Sequence, residues 1–345
     1  MEPPKPPPTQ LRVLIVRHGE TRENVERIIQ GQLDTDLNDR GRLQASITGR
    51  FLTHLRIDRI IASPLKRAAD TARAICDQQN SHYFSDSPLG LEFDDRLKER
   101  GFGVLEGKVY RGGATKPEDT EGIEKMEPFS ERLAGFWNDL VTRTGEVGKG
   151  GRVETVVVVS HGAAISALMN QVLVPGRYCI VPPNVVPSRF WNCSITELYV
   201  PVITTWASST VSPGDLSRKQ HWSIRPIHLG VQGSQFVLDH ELQKKLLSSA
   251  KLSSTTEAVD QLQAMVDKTE QEFERDPQGR AQLEADTIKA PDGSTVQNDI
   301  GYGKAVGVVA KWSNVDHLKE LDAQPAPASA NGDGGSNVNV DQLVR

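Results

Sequence analysis

Cysteine is scarce in this chain: Cys76, Cys179 and Cys193 are the only three among 345 residues. Odd in number and without metal-ligand spacing, they read as buried small hydrophobes of a reducing compartment, so the expected location is the cytosol or nucleus. Long apolar runs are missing too. None reaches the length needed to cross a bilayer, mean hydropathy is −0.42, and a membrane partner is not expected. The opening MEPPKPPPTQ has no apolar h-region, which argues against a signal peptide or anchor and for a polyproline-like arm over residues 1–10. A strongly basic domain is also absent. Net charge is −5, and residues 244–345 carry all of it, with 11 Lys plus Arg against 16 Asp plus Glu. With the body neutral, the charge argues against nucleic acid as the main partner, while local basic clusters remain able to hold a small anion.

What the chain does have is a pair of buried strands, each ending in His-Gly. Residues 11–16 are an almost unbroken β-branched run, read as a strand covered on both faces, and Arg17-His18-Gly19 follow at its end. Residues 153–159 (VETVVVV) repeat the pattern and stop at Ser160-His161-Gly162. In open α/β sheets ligands gather beyond the carboxyl ends of parallel strands, which is where both histidines fall.

Between and beyond these strands, helical spacing recurs. Leu43, Ile47, Phe51 and Leu55 predict one apolar stripe, with Asn38 or Asp39 as cap. A short strand at 59–62 leads to Ser63-Pro64, read as a capped helix start with Leu65, Ala68, Ala69, Ala72 and Ile75 facing inward. Residues 91–93 suggest another strand, and 128–143 a helix through Phe129, Leu133, Phe136, Trp137 and Leu140. Residues 193–200 and 221–229 read as two strands of an edge hairpin around a surface insertion.

The resulting expectation is a three-layer α/β/α sandwich with a mostly parallel central sheet over residues 11–247. Residues 248–345 are expected to form an acidic, largely disordered tail with transient helix. The only apolar island of that tail is 304–312 (KAVGVVAKW), read as a chance run or as a docking segment for a protein partner.

Histidine can attack phosphorus and form a phosphohistidine that water later hydrolyses, provided that the imidazole is neutral. Neighbouring guanidiniums favour that neutral form and also grip phosphoryl oxygens. An isolated Arg-His-Gly carries little weight. Here, however, RHGETRENVERIIQGQLDTDLNDRGRLQA, ASPLKRAADTA, RLKERGFGVLEG and VVVVSHG resemble, in order and spacing, the histidine phosphatase superfamily, also called phosphoglycerate-mutase-like. The resemblance runs over about residues 12–229 and is nearest the branch of broad-specificity phosphatases and TIGAR-like fructose-2,6-bisphosphatases.

That resemblance implies His18 as the phosphorylated nucleophile, Arg17 as a phosphate ligand and Glu99 as general acid, with Glu106 as its nearest competitor. His161 would donate to the transferring phosphoryl group. Asn24, Gln30, Gly31, Arg67 and Gly162 would line the substrate. No cofactor or metal is implied, and Asp34, Asp36 and Asp39 lack the glycine and terminal glutamate of a calcium loop. The expected partner is a small phosphorylated metabolite, with Lys108, Arg111 and Lys116 on the rim to meet a second anionic group or to form a solvated loop. A mutase of the same fold and a scaffold protein working through its tail are the alternatives.

Overall fold

The computed structural model describes residues 9–84, 86–110, 121–144, 152–176, 178–205, 237–275 and 305–322. Its centre is strand β1 (Gln10–Arg17), flanked on one side by β5 (Val153–Ser160) and on the other by β7 (Ile195–Pro201). Beyond β5 lie β2 (Arg59–Ala62) and β3 (Leu91–Phe93); beyond β7 lie β9 (Gly307–Asn314) and β6 (Cys179–Ile180). β7 alone runs against its neighbours in this seven-stranded sheet. A separate small pair joins β4 (Thr142–Thr144) and β8 (Ile203–Thr205).

The run of apolar residues in β1 and β5 has a direct reason: both faces of the sheet are covered. Leu11, Val13, Ile15, Val156 and Val158 join one core with helices α4 (Met126–Val141) and α5 (Gly162–Ala167), the latter continuing into a π turn at Leu168–Leu173. Leu14, Val16, Val157 and Val159 join a second core with helices α2 (Asp39–Leu52) and α3 (Lys66–Tyr83). The alternation along each strand is the two-residue period of side chains that serve two layers. The architecture is thus the expected three-layer α/β/α sandwich.

Several expectations need correction. The buried face of α2 is Gly41, Gln44, Ala45, Thr48, Gly49 and Leu52, not the predicted stripe, and Leu43 and Phe51 are exposed. Close approach to α3 explains this, because a Cβ at Gly49 would stand 2.7 Å from the Ala74 carbonyl oxygen. The α2–α3 contact therefore selects small residues over large apolar ones. Ser63 does not cap α3. The cap position is Leu65, which makes no side-chain cap bond.

The edge hairpin is also different. Both sides of β7 are taken, by β1 and by β9, which makes it an inner strand; the second strand predicted at 221–229 lies outside the described residues. The tail expected from residue 248 is in part structure. Helices α6 (His240–Ser249) and α7 (Thr256–Arg275) place Leu246, Leu247, Val259, Leu262 and Val266 in one cluster with Ile180, Tyr199 and Val308. The apolar island becomes β9. Residues 276–304 and 323–345 lie outside the described residues, as do 1–8 of the arm. Among the described residues no helix is long and apolar enough to cross a membrane.

Candidate active site

Strand register brings the two histidines together. Arg17 of β1 pairs with Ser160 of β5, so the next residue of each strand, His18 and His161, leaves the sheet at the same level. The His18 amide donates to the Ser160 carbonyl at 3.0 Å, and the two imidazole centroids lie 5.2 Å apart with planes tilted by 54°. The same edge carries Ser63, whose amide donates to the Val159 carbonyl, and Asp94, whose amide donates to the Ala62 carbonyl. Four parallel strand ends thus deliver the site, as the switch-point geometry of such sheets requires.

His18 is fully buried. Its Nδ1 lies 2.7 Å from the Gly19 carbonyl oxygen, and since a carbonyl only accepts, Nδ1 carries the ring hydrogen. Nε2 is left with its lone pair and has no hydrogen-bond partner among the described residues. The pKa of His18 is held well below the ordinary 6.5, first by burial and then by the charges of Arg67 and Arg17, against a smaller opposing effect of the Gly19 bond. Burial, not guanidinium repulsion, is the leading cause.

His161 is buried as completely, and its pKa is lowered by burial, then by Arg67, His18, Arg17 and Arg132. Its Nε2 lies 2.7 Å from Ser63 Oγ, an oxygen that already accepts from the Leu65 amide at 3.4 Å. A serine hydroxyl can donate one hydrogen bond and accept two. In the tautomer in which it donates to Nε2, the imidazole hydrogen sits on Nδ1, the ring nitrogen with no partner among the described residues, and one ring offers a lone pair while the other offers an N–H. Ser63, read from sequence as a helix cap, was missed as part of the site, because a Ser-Pro helix start is indistinguishable in sequence from a strand-end hydroxyl.

The two guanidiniums are buried and braced. Arg17 Nη1 donates to the Phe190 carbonyl at 3.0 Å. Arg67 Nη1 and Nη2 donate to the carbonyls of Leu33 (2.6 Å) and Gly31 (2.7 Å). Gly31 sits at φ +49°, a conformation that favours glycine, and its carbonyl serves to hold Arg67. Gly19 is small for another reason than ligand access: a Cβ there would fall 2.5 Å from the Gly41 oxygen.

Asn24 and Gln30 share one network. Asn24 Oδ1 accepts from the Thr21 amide (3.1 Å) and from Asn192 Nδ2 (3.2 Å). Gln30 Oε1 accepts from the hydroxyls of Thr21 (3.1 Å) and Thr35 (2.6 Å). In both side chains the carbonyl oxygen is occupied as an acceptor.

Glu99 is fully buried and tied to the start of α5. Its Oε2 accepts from the Ala163 amide (3.0 Å), and its Oε1 accepts from the amides of Ala164 (2.9 Å) and Arg100 (2.9 Å). The solvated charge cluster that its acidic and basic neighbours suggest does not include it. Gly162, the first residue of α5, follows His161 directly and is buried. Glu106 Oε1 accepts instead from the amides of Gln32 and Phe102, which braces the loop across from Gly31. The loop bearing Glu99 is held by Arg132, whose Nη groups donate to the carbonyls of Arg96 (2.5 Å), Lys98 (2.8 Å) and Glu99 (3.0 Å), and which pairs with Glu124. Arg132 had no motif to mark it. Of the rim, Lys108 is described, whereas Arg111 and Lys116 lie outside the described residues.

Two buried imidazoles in ring contact thus lie at one end of the sheet, under the electrostatic influence of the buried Arg17 and Arg67. The sequence model of the histidine phosphatase superfamily (branch 1) matches residues 13–177. The chain is 31% identical over 197 residues to a probable phosphatase of Schizosaccharomyces pombe, covering 55% of this chain and 87% of that one. It is 31% identical to a broad-specificity phosphatase of Saccharomyces cerevisiae, over 46% of this chain and 69% of that one. It is also 31% identical to the fructose-2,6-bisphosphatase TIGAR of Mus musculus, over 48% of this chain and 62% of that one. The chain belongs to the histidine phosphatase superfamily and is a phosphatase of it.

Proposed function

We propose that this protein hydrolyses a small phosphorylated metabolite, of the phosphosugar or phosphoglycerate type, through a phosphohistidine at His18. The observation that carries this reading is the buried, unprotonated Nε2 of His18, set 5.2 Å ring to ring from His161 and within the electrostatic reach of Arg67 and Arg17.

In the first half-reaction Nε2 attacks phosphorus while the ester P–O bond breaks. Charge on the equatorial oxygens is met by Arg17, Arg67, the His161 Nδ1–H and the amides of Asn24 and Gln30, groups fixed before substrate arrives. The departing oxygen takes a proton from Glu99. In the second half-reaction Glu99 removes a proton from water, which attacks phosphorus, and the P–N bond breaks to release phosphate and restore Nε2. Three backbone amides hold the Glu99 carboxyl in place through both halves. Phosphate-monoester hydrolysis is among the slowest uncatalysed reactions, and the site must lower its barrier by about 20 kcal/mol or more.

A phosphate-release screen over phosphosugars, phosphoglycerates and phosphopeptides tests the proposal. The expected result is free phosphate from at least one small metabolite and none from the His18→Asn variant. Turnover that releases no phosphate and depends on 2,3-bisphosphoglycerate would instead make the protein a mutase. A folded protein that turns over none of the panel would be a scaffold.

A further inference from the structure

The described residues at the C-terminal end, 305–322, lie well beyond those the family model matches, yet one of their strands reaches the phosphate-binding arginine through a short relay. β9 pairs antiparallel with β7, with register shifts between Ile195, Glu197 and Leu198. At its end Trp312 and Ser313 grip the loop 188–192. Trp312 Nε1 donates to the Ser188 carbonyl at 2.7 Å, and its ring stacks on Phe190 with centroids 5.4 Å apart and planes 28° apart. Ser313 Oγ donates to the Arg189 carbonyl at 2.7 Å and accepts from the Trp191 amide at 3.3 Å, while its own amide donates to Thr196 Oγ1 at 3.0 Å. Ser313 is held at φ +46°, a conformation unfavourable for a non-glycine residue that persists only where its surroundings over-determine it.

The other side of that loop faces the site. The Phe190 carbonyl accepts from Arg17 Nη1, Asn192 Nδ2 donates to the His18 carbonyl at 3.0 Å and to Asn24 Oδ1, and the Cys193 amide donates to the Arg17 carbonyl at 2.9 Å. Each residue of 188–193 is thus fastened to the C-terminal strand, to the Arg17-His18 segment or, through its chain neighbours, to both.

We infer that Trp312 and Ser313 are positioning residues for oxyanion binding: they fix the Phe190 carbonyl, and with it the direction of the Arg17 guanidinium. Without that brace the loop relaxes and Arg17 samples orientations that miss the anion. Trp312, the last residue of a stretch read in the sequence as a chance apolar run or a docking segment, is in this account a working part of the site together with the neighbouring Ser313. The inference rests on the reading of Arg17 as an anion ligand.

The test is orthovanadate binding to the full-length protein by calorimetry, with the unliganded melting temperature measured beside it. The variants are Trp312→Phe/Ser313→Ala, Ser313→Ala alone, Arg17→Ala and the combinations with Arg17→Ala. Trp312→Phe keeps an aromatic ring to stack while removing the N–H together with the second ring of the indole. The expected result is vanadate affinity weakened about three- to tenfold by the double change, by less with Ser313→Ala alone, and by nothing further once Arg17 is alanine, since coupled residues are non-additive. Equal losses with and without Arg17, or no loss, would overturn the inference while leaving the site intact. A wild-type protein that takes up no vanadate would overturn the reading of the site itself, and the inference with it.

Discussion

Ser63 Oγ and His161 Nε2 stand 2.7 Å apart at the ends of neighbouring parallel strands. In the proposed mechanism the hydroxyl donates to Nε2 and fixes the imidazole tautomer, so that the opposite nitrogen presents its hydrogen to the transferring phosphoryl group. Replacing Ser63 with alanine should lower kcat about ten- to a hundredfold, the equivalent of ~1–3 kcal/mol, with a smaller change in KM. Ser63→Thr should restore most of the rate, because it returns the hydroxyl. Steady-state kinetics of the two variants provide the check, and equal impairment of both would leave the tautomer argument without support.

Stability should depend on pH in a definite direction. His18 and His161 are buried neutral, with folded-state pKa values below 6.5, whereas the unfolded chain binds their protons near 6.5. Above that pH neither state is protonated and nothing is lost. As pH falls below about 6.5 the unfolded state gains protons that the folded state refuses, and stability drops with a slope approaching about 1.4 kcal/mol per pH unit for each such histidine until the folded pKa is reached. Urea midpoints from pH 7.5 to 5 should show this fall, and His18→Asn should make it shallower.

Glu99 admits a test through the leaving group. If its acid form protonates the departing oxygen, Glu99→Gln should cut hydrolysis of an alkyl phosphate by about a hundredfold or more and that of an aryl phosphate, whose leaving group needs little help, much less. A uniform loss for both substrates, accompanied by a lower melting temperature, would assign Glu99 only to fastening the start of α5.

Arg132 should act on the same residue at one remove. It holds three carbonyls of the loop 96–99 and pairs with Glu124 at 2.7 Å. Arg132→Lys keeps a charge but loses the planar set of donors. The expected result is a kcat lowered about tenfold on alkyl phosphates with little change on aryl ones. Measuring both substrates side by side distinguishes a displaced acid from a general loss of fold.

Much of this site was legible in the sequence because the residues that bear it end apolar runs. Residues 11–16 and 153–159 announce strands by composition alone, and His18 and His161 follow from where those runs stop. Arg67 came only from the resemblance carried by ASPLKRAADTA, and it is the second residue of α3. Ser63 was not legible, since the same Ser-Pro pair begins helices elsewhere for capping reasons. The stripe of α2 misled because packing distance, not apolar area, decided which face turned inward: Gly49 had to meet Ala74. β9 was illegible because strand pairing across more than a hundred residues leaves no local mark. A short apolar run reads the same in a tail as in a sheet.

The measurement that bears most directly on the account is isolation of the phosphorylated protein. A substrate labelled at phosphorus, mixed with enzyme and quenched within a turnover, should leave an acid-labile, alkali-stable phosphoryl group on the peptide containing His18, and none on the His18→Asn protein. Label found on another residue, or full turnover by His18→Asn, would contradict it.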